Sequence, residues 1–230
     1  MNALEVETGD APRWSVIWLH GLGADGSDFL PVVPHLGLDQ GPAVRFVFPH
    51  APEIAVTCNG GYVMPAWYDI ISLDVDNRQV DAEGLLRSRA SIRQLIAREN
   101  DRGIPCRNIF LAGFSQGGAV AYLTGLSHAE RLAGIIALST YIPAPQLLTE
   151  EASEANRSLP IFAAHGSEDD VVSPQLGTKA RDLLAASGYS IEWHEYPMPH
   201  SVCPEEIAAI GDWLRARIDT PRDHPAQSPQ

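Results

Sequence analysis

The sequence predicts an α/β fold, with a mostly parallel central sheet and helices on both faces. Three observations lead there. Short apolar runs rich in β-branched and aromatic residues recur along the chain: SVIWLH at 15–20, AVRFVFPH at 43–50, NIFLAGF at 108–114, GIIALST at 134–140, LPIFAAHG at 159–166 and SIEWHEYP at 190–197. Most are apolar nearly throughout, as strands covered on both faces must be. Helical patterns lie between several of them, and that alternation is the mark of parallel strands joined by crossover helices. Finally, His20-Gly21, Ser115, His165-Gly166 and the His200 region fall just past the ends of such runs. Parallel sheets gather their chemistry at the carboxyl ends of their strands.

The helical elements follow in order. Residues 79–100 place Val80, Leu85, Ile92, Leu95 and Ile96 near helical spacing, and Gly103 stops the run before Ile104-Pro105. Further helices are predicted over 116–127, over 175–187 (closed by Gly188) and over 205–218. No linker and no internal repeat interrupts the body, so residues 1–218 read as a single domain. The tail 219–230, DTPRDHPAQSPQ, is proline-rich and polar and is expected to be disordered.

Composition removes several function classes. The chain has 230 residues and a net charge of -13, which on average repels phosphate backbones, so nucleic acid is not expected as a partner. Its three cysteines, Cys58, Cys106 and Cys203, form neither a CxxC pair nor a disulfide framework, in keeping with a reducing compartment. The N-terminus, MNALEVETGDAPRW, carries acids where a secretory signal would carry basic and then apolar residues. No apolar run is long enough to span a bilayer. A cytoplasmic protein is the expectation.

The segment from Pro49 to Asp76 breaks the alternation. It holds Pro49, Pro52, Gly60, Gly61 and Pro65, then Ala66-Trp67-Tyr68-Asp69-Ile70-Ile71. A loop this long inside a domain is usually functional. Met64, Trp67, Tyr68 and Ile70 are its candidate substrate-binding residues, walling an apolar cleft; the competing reading is a loop pinned to the core by Trp67. Apolar residues around Met64–Ile71 also suggest a homodimer contact or a transient contact with a membrane surface.

The chemistry centres on Gly113-Phe114-Ser115-Gln116-Gly117, a G-x-S-x-G at a predicted strand-to-helix junction. That is the context of a nucleophile elbow, in which a strained turn lifts the serine hydroxyl clear of the sheet. The Gln116 N–H then sits at a helix N-terminus, where it can receive a developing negative charge. A serine nucleophile needs a histidine base and a carboxylate to orient it, in the order serine, acid, histidine for this architecture. HGSEDDVV offers Asp169 and Asp170, and YPMPHSV offers His200 before the final helix. Spacing alone does not choose between the two aspartates, since either can be a turn or cap residue. The glycine-rich WLHGLGADGSDF is a candidate source of a second oxyanion donor, with the Leu22 amide preferred over the alternative of a simple tight turn.

Taken in order, LHGLGADGSDF, NGGYVMPAWYDI, LAGFSQGGAV, ALSTYIP, HGSEDDVV and YPMPHSV resemble the carboxylesterase branch of the phospholipase/carboxylesterase family, relatives of acyl-protein thioesterases. The similarity spans roughly residues 14 to 218. It implies an α/β-hydrolase fold, with Ser115 as nucleophile, His200 as base and Asp169 as the acid. It also implies an oxyanion hole formed by the Leu22 and Gln116 amides. The expected activity is hydrolysis of short- to medium-chain carboxylic esters through an acyl-enzyme, without cofactor or metal. Thioester or lysophospholipid hydrolysis on the same triad is the alternative. Two positions depart from the family pattern: Pro199 stands where glycine usually precedes the histidine, and Ser173 where proline is frequent.

Rival readings are weaker. His20 and His165 read as turn-holding residues, and His35, His50, His128 and His224 as surface or structural ones without companions. His194 with His200 cannot be a zinc-protease helix, because Met198, between Pro197 and Pro199, occupies the place of the second ligand. GFSQGG lacks the P-loop lysine, and HGLGADG lacks the dinucleotide fingerprint. A non-catalytic binding protein on the same fold is the remaining rival. With a histidine base, activity is expected to fall on acidification through roughly pH 6 to 7.

Overall fold

Side-chain alternation within each strand explains the layers. In the computed structural model, which describes residues 1–72 and 79–218, the strand β2 (Trp14–Leu19) buries Val16 and Trp18 on one face of the sheet and Ile17 and Leu19 on the other. A strand walled on both sides has no polar face to show, hence the unbroken apolar run. The tail expected to be disordered and the end of the 49–76 segment lie outside the described residues.

Ten further strands follow the same logic or edge it. They are β1 (Ala3–Glu7), β3 (Val44–Pro49), β4 (Glu53–Val56), β5 (Tyr62–Pro65), β6 (Ile70–Ser72), β7 (Gln79–Val80), β8 (Ile109–Phe114), β9 (Gly134–Leu138), β10 (Ile161–Gly166) and β11 (Ile191–Tyr196). The helices are α1 (Ala82–Asp101), α2 (Gln116–Leu126), α3 (Pro145–Glu151), α4 (Pro174–Ala186) and α5 (Pro204–Ile218). A seven-stranded sheet runs β1-β3-β2-β8-β9-β10-β11. All neighbours are parallel except β1, which pairs antiparallel with β3.

One core lies on each face. Ile17, Leu19, Val47 and Leu111 pack with Ile92 and Ile96 of α1, Ala119 and Leu123 of α2, and Leu184 of α4. On the other side Trp18, Phe46 and Phe110 meet Ile210, Trp213 and Leu214 of α5 together with the 3-10 turn Leu30–Leu36. Trp213 keys this second layer, its ring centroid 5.7 Å from Phe110 and 6.1 Å from Phe162. Helix α2 is buried along its whole length, as a helix apolar all round must be.

The strand β1 was hidden in the sequence by its acids. Glu5 pairs with Arg98 of α1 and with Arg102, just past its end, and Glu7 pairs with Arg45 of β3, so distant arginines turn a polar N-terminus into an edge strand. The segment after Pro49 is also more ordered than a loop. β4 and β5 form an antiparallel hairpin, and β6 pairs with β7.

Candidate active site

The chain turns from β8 into α2 through Ser115, whose backbone sits at φ 54 and ψ −120. A non-glycine residue avoids that region, at a cost of order 1–3 kcal/mol, and holds it only where the surroundings over-determine it. They do so here. The Ser115 N–H donates to the Leu138 carbonyl at 2.9 Å, and the Ser115 carbonyl accepts from Thr140 Oγ1 at 2.7 Å. Glycines make the turn possible: a Cβ on Gly113 would lie 2.3 Å from the Gly117 backbone, and one on Gly117 would lie 2.4 Å from the Leu19 carbonyl oxygen.

The loops after β10 and β11 are laced together. Ser167 N–H donates to the Tyr196 carbonyl at 2.8 Å, and Glu168 N–H to the Met198 carbonyl at 3.1 Å. This lacing sets Asp169 against His200, with His200 Nδ1 2.7 Å from Asp169 Oδ2. Asp169 Oδ1 meanwhile accepts the N–H groups of Val171 and Val172 at 3.0 and 2.8 Å. Burial alone would raise the Asp169 pKa; hydrogen bonds from His165, His200 and the Val172 N–H overcome it and hold the carboxyl well below the usual carboxylate range. Asp170, one residue on, is exposed. The Phe114 ring lies against His200, centroid to centroid 4.6 Å.

Both departures from the family pattern fit this frame. Position 199 is exposed and is not among the left-handed non-glycine residues, so proline is accommodated there. Ser173 takes the N-cap position of α4, and the proline one place later, Pro174, opens the first turn, where its missing N–H costs nothing.

The 49–76 segment does something other than wall the cleft with aromatics. Trp67 and Tyr68 are core residues, 1% and 0% exposed. Their backbone grips Gln116: the Trp67 N–H donates to Gln116 Oε1 at 2.9 Å, and Gln116 Nε2 donates to the Tyr68 carbonyl at 2.7 Å. The Trp67 indole N–H reaches the His20 carbonyl at 2.9 Å, and Gly23 N–H donates to the Pro65 carbonyl at 2.8 Å. Trp67 and Tyr68 thus tie together the two turns that carry Gln116 and Leu22. Neither they nor Met64 borders the cleft; of the expected substrate-binding residues, Ile70 does. The reading of an exposed apolar loop around Met64–Ile71 is corrected in the same way. Trp67, Tyr68 and Ile70 are buried, and the exposed large apolar side chains there are Ile71 and, on the β4–β5 hairpin, Tyr62 and Val63.

Ser115, Gln116, His200 and Leu22 converge on one cleft of about 250 Å³. Its apolar walls are Ile70, Phe114, Tyr141, Val171 and Val172. Sequence reasoning missed Phe114, Tyr141 and the two valines. Phe114 and the valines were within reach, since they adjoin Ser115 and Asp169; Tyr141 lies past β9 and is placed by the sheet. The turn histidines keep their structural roles. His20 lies 2.7 Å through Nδ1 from the Gly21 carbonyl and accepts the Ala51 N–H at Nε2, while His165 lies 2.8 Å from the Val172 carbonyl. Among the described residues no cluster of three metal-capable donors lines the cleft.

A parallel sheet with an elbow serine, an acid–histidine pair and an apolar cleft at its carboxyl edge is the arrangement of an α/β hydrolase. The model of the phospholipase/carboxylesterase family matches residues 1–218, and the chain belongs to that family. It is similar to an acyl-protein thioesterase 1 of Neurospora crassa, 42% identical across 93% of this chain and 90% of that one. The acyl-protein thioesterase 1 of Saccharomyces cerevisiae is 36% identical, covering 96% of this chain and all of the other. Among solved structures, Zea mays acyl-protein thioesterase 2 superposes with a TM-score of 0.83 at 27% identity, covering 94% and 99% of the two chains. Arabidopsis thaliana SOBER1 gives 0.84 at 30% identity, covering 90% and 100%. The protein is a carboxylic-ester hydrolase. No helix among the described residues is long and apolar enough to cross a membrane.

Proposed function

We propose that the protein hydrolyses short- to medium-chain carboxylic esters through an acyl-enzyme on Ser115. His200 accepts the serine proton as the hydroxyl attacks the carbonyl carbon, and Asp169 holds the imidazole tautomer. The Leu22 and Gln116 amides receive the oxyanion. His200 then protonates the departing alcohol, and a water, activated by the same imidazole, releases the acid. The observation that carries the reading is the strained Ser115 backbone opening onto the same cleft as a histidine already bonded to a buried aspartate.

The size of the cleft supports short acyl groups, since about 250 Å³ is at or below the low end of ordinary ligand pockets. A second reading, thioester hydrolysis on acylated proteins, is favoured by the names of the relatives and by an exposed apolar rim. Val171 and Ile71 are 53% and 46% exposed beside the cleft, so a longer chain would lie across that rim or face a membrane surface or a second copy. Fluorophosphonate labelling mapped to Ser115 tests the nucleophile; folded protein that stays unlabelled defeats it. p-Nitrophenyl esters of increasing length, assayed beside a palmitoyl-thioester peptide, separate the two substrate classes. A kcat/KM highest for the short esters is expected.

A further inference from the structure

The β8–α2 unit carries Ser115 at one end. At its other end, where the chain enters β8 and leaves α2, Cys106, His128 and Glu130 come together, with one ligand atom from each within 4.8 Å of the others. His128 has no companion in the linear sequence, because its partner sulfur lies 22 residues upstream. Cys106 Sγ stands 3.6 Å from His128 Nε2. A thiolate and an imidazole sharing a tetrahedral zinc ion at about 2.3 and 2.0 Å stand about 3.5 Å apart. That spacing suits two ligands on one ion, and it is also the length of the hydrogen bond the pair makes without one.

The surroundings hold this geometry. Asn156 is fully buried; its Nδ2 donates to the His128 and Glu130 carbonyls at 2.8 and 2.9 Å, while Oδ1 accepts the Leu132 N–H. The loop with two of the donors is therefore fixed. Asn100 Nδ2 points at the sulfur from 3.1 Å, the kind of outer hydrogen bond that steadies a metal-bound thiolate. His128 Nδ1 is buried without a hydrogen-bond partner among the described residues, so the contact from Nε2 to the Cys106 sulfur is what orients the ring toward the cluster. Arg93 is the cation nearest in effect to His128, and its guanidinium is engaged by the Ser127 carbonyl and hydroxyl. Cys106 is 4% exposed while Glu130 is exposed, which leaves an entry side.

We propose that Cys106, His128 and Glu130 bind a divalent transition ion, zinc foremost, with water completing the tetrahedron. Sulfur, imidazole and carboxylate together suit zinc and disfavour magnesium or calcium. Binding forms a metal–sulfur bond and releases the thiol proton to solvent. The ion would clasp the entry of β8 to the exit of α2 at a distance from the ester chemistry.

The test is cobalt titration of the reduced, chelator-treated full chain, followed by zinc competition. One equivalent of cobalt is expected to give a thiolate-to-metal charge-transfer band that zinc abolishes, and zinc is expected to raise the melting temperature in a concentration-dependent way. His128→Ala and Cys106→Ser should lose the band, Glu130→Gln should weaken cobalt binding at least tenfold, and Cys203→Ser should leave it intact. A wild-type protein without the band overturns the proposal, as does a band that survives in Cys106→Ser or His128→Ala or disappears in Cys203→Ser. Should Cys106→Ser not fold, the His128→Ala and Glu130→Gln arms decide alone.

Discussion

Ser115 occupies a backbone conformation that its own side chain disfavours, and the molecule sustains it with bonds from Leu138 and Thr140. Ser115→Ala keeps the backbone bonds and removes the nucleophile. Ester turnover should therefore fall by roughly a thousandfold or more, with the circular dichroism spectrum unchanged; turnover within tenfold of wild type would refute the assignment. The two neighbouring aspartates should separate sharply. Asp169→Asn loses the acceptor that fixes the imidazole and should cost on the order of 10⁴ in kcat, whereas the exposed Asp170→Asn should change it only a few-fold. Equal losses in the two variants would undo the assignment. Residue types and their order were readable in the sequence; the choice between adjacent aspartates was not readable from spacing, because only the lacing of two loops aims one of them at His200.

Elements carry the support of that site. Gln116 borders the cleft and gives its side chain to the Trp67–Tyr68 strap, so Gln116→Ala removes the strap while leaving the proposed oxyanion amide in place. Two buried backbone groups then lose their partners, a loss of about 1–3 kcal/mol for each. A urea midpoint shift well beyond that of an exposed substitution is expected, with kcat reduced less than in Ser115→Ala. The main strands and long helices were legible because their apolar patterns are local: an unbroken run of β-branched and aromatic residues means strand, and a three-to-four residue repeat closed by glycine means helix. β1 and the β4–β5 hairpin escaped. Their stability comes from partners far along the chain, arginines at the end of α1 for one and the turn after His20, through Gly23, for the other. The sequence left Trp67 with two readings, a cleft wall or a pin to the core, and its burial behind the cleft is a tertiary fact.

At the scale of the whole molecule, stability depends on pH through two buried carboxyl groups, one of them outside the chemistry. Glu206, in the first turn of α5, is fully buried, and neither carboxyl oxygen has a hydrogen-bond partner among the described residues. Burial pushes its pKa up from 4.5 to about 8, against a weaker opposing pull from the Cys203 backbone N–H, which lies near the carboxylate without reaching hydrogen-bond geometry. Between those values the folded protein holds a proton that the unfolded chain has released, so stability declines as pH rises through that interval. Asp169 acts oppositely. Its carboxyl is held below 3.8, so its contribution is complete above the ordinary carboxylate range and fades as pH falls beneath it. Glu206→Gln should flatten the decline and raise the unfolding midpoint at pH 8 more than at pH 5; denaturation curves at both values check this. An unchanged pH slope in the variant would show that Glu206 is not its source.

By itself the sequence determined the alternation of strands and helices, the elbow around Ser115 and the presence of an acid and a histidine downstream in the required order. Each is written in a few consecutive residues, where backbone sterics and burial periodicity act locally. Tertiary structure alone decided that acids at the N-terminus become an edge strand, that Trp67 and Tyr68 brace Gln116, and that Cys106 meets His128 and Glu130. Those outcomes depend on which distant segments the sheet brings side by side, and a linear pattern carries no measure of that distance.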